Sequence, residues 1–300
     1  MFLQQLINGL TVGSVYALIA LGYSMVYGIL ELINFAHGEI YMLGAYLGII
    51  FLAFFTAIGL TAYNLPLALI LTFVLSIIFC SSYGFTIEKI AYKPLRNAPR
   101  LSPLISAIGV SIFLQNYVML TQGATDKVFP ALFGIAGFQF MSVRMTYLQL
   151  FIILSSIVLT IALRLFVRKT RMGKAMRAVA QDKTMASLVG INIDTIISLT
   201  FIIGSGLAAV AGLMVAMYYG LVNYSIGYIA GIKAFTAAVL GGIGSIRGAM
   251  FGGLLLGLVE SLGGSYISGE YKDAYAFVIL IIILLVKPGG LFGKSDLEKV

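Results

Sequence analysis

Long apolar runs separated by short polar stretches set the pattern of this chain. They predict helices near 6–30, 39–59, 64–91, 103–122, 147–167, 193–217, 231–247, 248–264 and 274–287. Runs such as 148–167 and 274–286 are continuous, whereas barrel strands would alternate over about 10 residues. A helix needs roughly 20 residues to cross a hydrocarbon core of about 30 Å, and backbone in lipid must satisfy its own hydrogen bonds. The pattern therefore predicts an all-α, polytopic transmembrane helical bundle of about eight to nine spans. Residues 31–38 interrupt one long segment, and 231–247 is short and glycine-rich. Each reads as either a full span or a half-helix, re-entrant piece.

Composition agrees. Hydrophobic residues make up 60% and charged residues 10%, with a mean hydropathy of +1.04, where a soluble domain carries about 25% charge. No Lys or Arg precedes Lys89, and a cleavable leader needs a positive start, so the first segment is expected to remain as a span. The lone Cys80 lies in an apolar run and reads as a small core residue. The net charge of +8 belongs to loops. No nucleic-acid partner is expected.

The basic residues sort by side. Lys89, Lys93, Arg96 and Arg100 fall together, as do those of 164–183, and Arg247, Lys287, Lys294 and Lys299 join them. Only Lys127, Arg144, Lys233 and Lys272 fall opposite. The excess of positive charge on the inner side then places 168–192 in the cytoplasm, the N-terminus outside and the C-terminus inside. One sizeable outer loop, near 123–147, is expected, and residues 1–300 read as a single transmembrane domain. GILELINFAHGEIYMLGA from Gly28 and GLVNYSIGYIAGIKAFTAA from Gly220 share a helix–break–helix shape and run in opposite directions, as an inverted repeat would.

The chain carries 34 glycines. In lipid, small residues let helix backbones approach closely. The pairs Gly9/Gly13, Gly44/Gly48, Gly248/Gly252 and Gly253/Gly257 have the required spacing. The densest run is 237–257, where Gly241, Gly242, Gly244, Gly248, Gly252 and Gly253 predict tight packing within the chain or a subunit interface.

Candidate chemistry is sparse. Pro288–Ser295 imitates a phosphate-binding loop, but proline stands where glycine is needed and an apolar helix precedes it. One histidine and one cysteine cannot build a metal cage. No enzyme activity, cofactor or metal is expected. Glu31, Asn34, His37 and Glu39 cluster at the first interruption, either lining a pathway or capping a helix break at the inner interface, with Asn34 as N-cap and Glu39 in the first turn. Glu260 is expected at an outer rim facing water, and Lys233 to reach the outer interface along its stem. The mid-span segments look poor in acid pairs.

The island at 168–192 is basic and amphipathic: Met172, Ala175, Met176, Val179 and Ala180 form an apolar stripe among Arg171, Lys174, Arg177 and Lys183. Such a helix lies on anionic lipid or docks in a partner's groove. Gly173 favours docking, since it weakens the helix and exposes backbone to a close neighbour.

Several stretches carry a resemblance along nearly the whole chain: NGLTVGSVYALIALGYSMVYGI (8–29), INFAHGEIYM (33–42), LISAIGVSIFLQNYV (104–118), RMGKAMRAVAQDKTMASLVGIN (171–192) and KAFTAAVLGGIGSIRGAMFGG (233–253), with EYKDAYAF and the terminal LEKV. The chain resembles the LivH-type branched-chain amino-acid permease subunits of ATP-binding-cassette importers. The resemblance implies an inner-membrane heterodimer with a second permease. It also implies two cytoplasmic ATP-binding subunits and a periplasmic or extracellular substrate-binding protein delivering leucine, isoleucine or valine. The island becomes the ATPase-coupling segment, with Arg171, Met172, Gly173, Ala175, Arg177, Ala178, Ala180 and Asp182 as contacts. Sister permeases for urea or amides share much of this pattern. An ion-coupled secondary transporter is the alternative from another class. Arg247 departs from the proline expected at its turn.

Overall fold

The computed structural model describes residues 1–99, 101–130, 132, 134, 136–140 and 143–293; Arg100, Lys294, Lys299 and the terminal LEKV lie outside them. Twelve helices follow one another among the described residues. They are α1 (Phe2–Leu30), α2 (His37–Ala57), the single turn α3 (Leu60–Tyr63), α4 (Leu65–Ile87), α5 (Leu101–Gln122), α6 (Tyr147–Lys169), α7 (Arg171–Gln181), α8 (Lys183–Leu188), α9 (Ile193–Tyr219), α10 (Ile226–Gly241), α11 (Ile246–Tyr266) and α12 (Lys272–Val286). Four short strands, β1 (Lys127–Val128), β2 (Gly137–Phe140), β3 (Val143–Thr146) and β4 (Leu221–Val222), pair as β1–β4 and β2–β3. A π turn at Glu88–Tyr92 and a 3₁₀ turn at Lys93–Leu95 continue α4.

Seven of these helices are long and apolar enough to cross a membrane. With α10 (16 residues) and α12 (15 residues) they give the nine apolar segments that the hydropathy pattern predicts. The expected boundary at 247 moves: α10 begins at Ile226 and stops at Gly241. Gly242 and Gly244 adopt left-handed backbone, with φ of 100° and 86°, and the Ser245 hydroxyl accepts from the Gly248 N–H at 3.1 Å to start α11. Arg247 thus stands in the first turn of a helix, a position that also tolerates proline.

The inverted repeat is visible in the neighbours each helix keeps. α1 packs on α10 and α11 as α9 packs on α2 and α4; α2 pairs with α4 as α10 pairs with α11; and α5 lies against α2 as α12 lies against α10. The two sets run oppositely. Gln4, starting α1, bonds the backbone of Arg144, while Gly220, ending α9, accepts from the Phe129 N–H in the same loop region, 123–146. α6 and α7 join the two halves.

Glycine makes this packing close, and does so within the chain. A Cβ on Gly13 would sit 2.9 Å from the Leu254 α-carbon, and one on Gly253 2.5 Å from the Ala17 α-carbon, so α1 and α11 touch backbone to backbone. Gly44 does the same against Ala209 in α9, and Gly241, Gly248 and Gly252 join α10 to α11. Gly242 lies against the backbone of Gly289 and Gly293, and Gly244 against Gly28. α1 and α9 are the most enclosed spans; α4, α5 and α6 leave most of their surface open.

Candidate functional site

The chain does not pass straight from α1 into α2. Glu31 ends α1 in left-handed backbone (φ 59°), its N–H bonded to Tyr27 at 2.8 Å, and its side chain is exposed. Residues 31–36 then turn back into the bundle, so that α2 begins with His37 between Gly22 of α1 and Gly204 of α9. α10 likewise begins inside, after the break at 223–225. α2 and α10 meet near these inner ends: a Cβ on Gly38 would lie 2.7 Å from the Gly231 α-carbon.

This corrects the capping expectation for the first interruption. Asn34 is not the N-cap, a place taken by Ala36; its Oδ1 accepts from the Tyr92 hydroxyl at 2.7 Å, fixing the break to the end of α4. His37 is buried, with Tyr23 edge-on at 4.8 Å and no partner for its Nε2 among the described residues. Glu39 does occupy the first turn of α2, but wholly inside the protein. Its Oε1 accepts from the Ser111 hydroxyl at 3.0 Å, and its unpartnered Oε2 faces Gly227 in the first turn of α10. This carboxylate thus lies beside the first turns of both α2 and α10. Glu31 stands apart from the other three.

The described residues also hold charge pairs that the apolar spans concealed. Glu260 and Lys233, expected at an outer rim and interface, are buried and paired at 2.8 Å. The Tyr16 hydroxyl donates to Glu260 at 2.8 Å, and Lys233 also reaches Asp273 at 2.7 Å. In the opposite half, Glu88 is enclosed at the end of α4, where it accepts from Arg96 and from the Ser198 hydroxyl. Arg96 and Lys93 pair with Asp194 at the start of α9. Sequence reasoning passed over Glu88 and Asp194; the only local signal was their place at predicted helix ends.

The amphipathic island folds as α7 and α8. The Thr170 hydroxyl accepts from the Gly173 N–H at 3.0 Å and Asp182 from the Met185 N–H at 2.9 Å, so each helix carries a side-chain N-cap. Asp182 is thereby a cap. The buried edge of α7, Gly173, Met176 and Val179, faces α6, α1 and α9, with Ala175 and Ala178 half-buried. The close neighbour of Gly173 is the last turn of α6, where a Cβ would sit 2.5 Å from the Val167 α-carbon. Much of the predicted stripe is thus spent inside the chain. Arg171, Met172, Lys174, Arg177 and Ala180 remain exposed, and α8, with the Val189 that ends it, adds Met185, Leu188 and Val189, which are 62%, 75% and 75% exposed. Those three were missed because a six-residue helix is too short to show a period.

Comparison with known proteins gives the family. The family described as branched-chain amino acid transport system / permease component matches residues 5–284. The high-affinity branched-chain amino acid transport system permease protein LivH of Salmonella typhimurium is 52% identical, over 100% of this chain and 98% of its own length; that of Escherichia coli K12 gives the same figures. BraD of Pseudomonas aeruginosa, of the same description, is 51% identical over equal shares. No solved structure matches.

Proposed function

Because the chain belongs to the family of branched-chain amino acid transport permease components, we propose that it forms one half of the membrane pathway of an ATP-driven importer for leucine, isoleucine and valine. Its relatives LivH and BraD, permeases of high-affinity branched-chain amino acid transport systems, support the substrate. A second permease completes the pathway, two cytoplasmic ATP-binding subunits supply energy, and a binding protein delivers the amino acid from outside. The permease sits in the inner membrane with α7 and α8 in the cytoplasm, the N-terminus outside and the C-terminus inside. That orientation follows from the basic loops.

The observation that carries the mechanism is the seating of α7. One edge is fixed to α6, α1 and α9, and the other, with α8, presents apolar side chains in a basic surround. An ATPase holding Met172, Met185, Leu188 and Val189 in a groove would grip a lever attached to the two central helices. Movement of the ATPases during hydrolysis would then shift the balance between inward- and outward-open arrangements. Arg171, Lys174 and Arg177 would steer an acidic partner surface.

The test is reconstitution into liposomes with all partner subunits. Uptake of branched-chain amino acids should require ATP and the ATPases, and the permease alone should neither hydrolyse ATP nor concentrate solute. Concentrative uptake by the isolated chain would overturn the proposal.

A further inference from the structure

Where α2 and α10 meet, α1, α5 and α10 leave an open groove of about 470 Å³, within the range of roughly 300–1,000 Å³ typical of small-molecule sites. Its walls are mainly apolar, formed by Phe35, Ile108, Ile112 and Ile232 with the ring of Tyr228. Three polar side chains, Tyr23, Ser111 and Gln115, also line it.

The polar groups are poised unequally. Tyr23 is 4% exposed, and its hydroxyl has no hydrogen-bond partner among the described residues; the Gly38 backbone lies nearby but outside bonding geometry. A buried hydroxyl left this way favours an occupant that satisfies it. Gly231, another wall residue, lies directly against it: a Cβ there would stand 3.3 Å from the hydroxyl oxygen, which sits just behind the groove wall. The first turn of α10 also borders the space, and its N-cap Ser225 makes no side-chain cap, so the amide end of that half-helix retains donors for an anionic group. On the α5 wall, the Ser111 hydroxyl spends its proton on Glu39. Its oxygen lone pairs, with the carboxylate behind them, suit a cation.

We propose that this groove is the permease's own subsite for the travelling solute, a zwitterionic amino acid with a branched aliphatic side chain. The ammonium lies towards Ser111, backed by Glu39. The carboxylate lies towards Tyr23 and the start of α10, and the side chain rests on Ile108, Ile112 and Phe35. The identity of the solute rests on the proposed function; the position and polarity of the groove do not.

The test uses the assembled transporter carrying Ile112→Cys, in which the native Cys80 is fully buried. Leucine at ten times its half-saturating concentration should slow alkylation of the new thiol by a small maleimide about tenfold, by mass action, and lysine should not. Adding Tyr23→Phe should raise the leucine concentration for half-protection by about five- to tenfold, the value of one hydrogen bond. If Ile112→Cys fails to assemble, Ile108→Cys gives the same readout. Protection by added lipid but not by leucine, or no protection at either position, overturns the subsite even in a complex that pumps leucine. Protection in a complex that does not pump branched-chain amino acids keeps the subsite and overturns the assigned function. An unchanged half-protection in Tyr23→Phe overturns the placement of the carboxylate.

Discussion

The Lys233 ammonium lies 2.8 Å from the Glu260 carboxylate, on neighbouring helices and with both side chains less than one-tenth exposed. Glu260 has the Tyr16 hydroxyl as a second partner, and Lys233 lies 5.7 Å from the centre of that tyrosine's ring. α1, α10 and α11 are therefore joined at one polar point inside an apolar bundle. Removing one member leaves the other as an uncompensated charge, which costs about 3–5 kcal/mol, whereas replacing both by apolar residues of similar volume is often close to neutral. Thermal unfolding of the detergent-purified protein should show a large loss for Lys233→Met and for Glu260→Leu alone, and a substantial recovery when both are combined. Additive losses in the double variant would refute the pairing. Asp273, more than half exposed at its side chain, should matter far less.

Gly173 gives a second prediction, and its physical basis is contact with α6. Any side chain there meets the carbonyl groups of Phe166 and Val167, so Gly173→Leu should lift α7 off the end of α6. In the assembled transporter, uptake should fall by at least about tenfold while ATP hydrolysis continues, because the lever no longer bears on the spans. Parallel measurement of uptake and hydrolysis checks this, and normal uptake would detach α7 from the coupling role.

The exposed apolar edge makes the complementary prediction. Leu188→Asp and Val189→Asp alter side chains three-quarters exposed in the free chain, so stability should change by no more than about 0.5 kcal/mol. If an ATPase covers them, burying a new carboxylate should weaken assembly by about 2–4 kcal/mol. Co-purification of the ATPases with the variant permease, at matched membrane levels, reads this directly. Full recovery of the ATPases would place their contact elsewhere.

How far the sequence reveals this arrangement depends on the range of each signal. The nine apolar segments and the break at 31–36 are legible because hydropathy acts over adjacent residues, whereas the break at 242–245 falls inside the helix expected over 231–247. The inverted repeat is legible only as a likeness of shape around Gly28 and Gly220, yet the folded neighbours follow it. Long-range chemistry is not legible. Lys233 and Glu260 lie 27 positions apart, and Tyr16 lies 244 from Glu260. Nothing local tells an acid that pairs inside from one that rests at a rim. The α7 stripe is ambiguous for a related reason: amphipathicity reports that one face is covered without naming the cover, and Met176 and Val179 are covered by the chain's own helices. Asn34 looked like a cap because its partner, Tyr92, is 58 residues away.

The glycines of α11 allow the packing argument to be tested with an internal control. A Cβ on Gly257 would overlap the backbone of Gly13, and the α1–α11 contact is backbone against backbone, so neither side can yield by a rotamer change. Gly109 in α5 has nothing within 4 Å of the equivalent position. Gly257→Val should therefore force α1 and α11 apart and cost about 1–3 kcal/mol or more. Gly109→Ala should be neutral or stabilise the helix by up to about 1 kcal/mol. Both substitutions add small apolar groups to apolar helices, so a difference in unfolding temperature isolates close approach from hydrophobicity. Equal behaviour of the two variants would mean that α1 and α11 can separate without loss, and that glycine at 257 serves some other purpose.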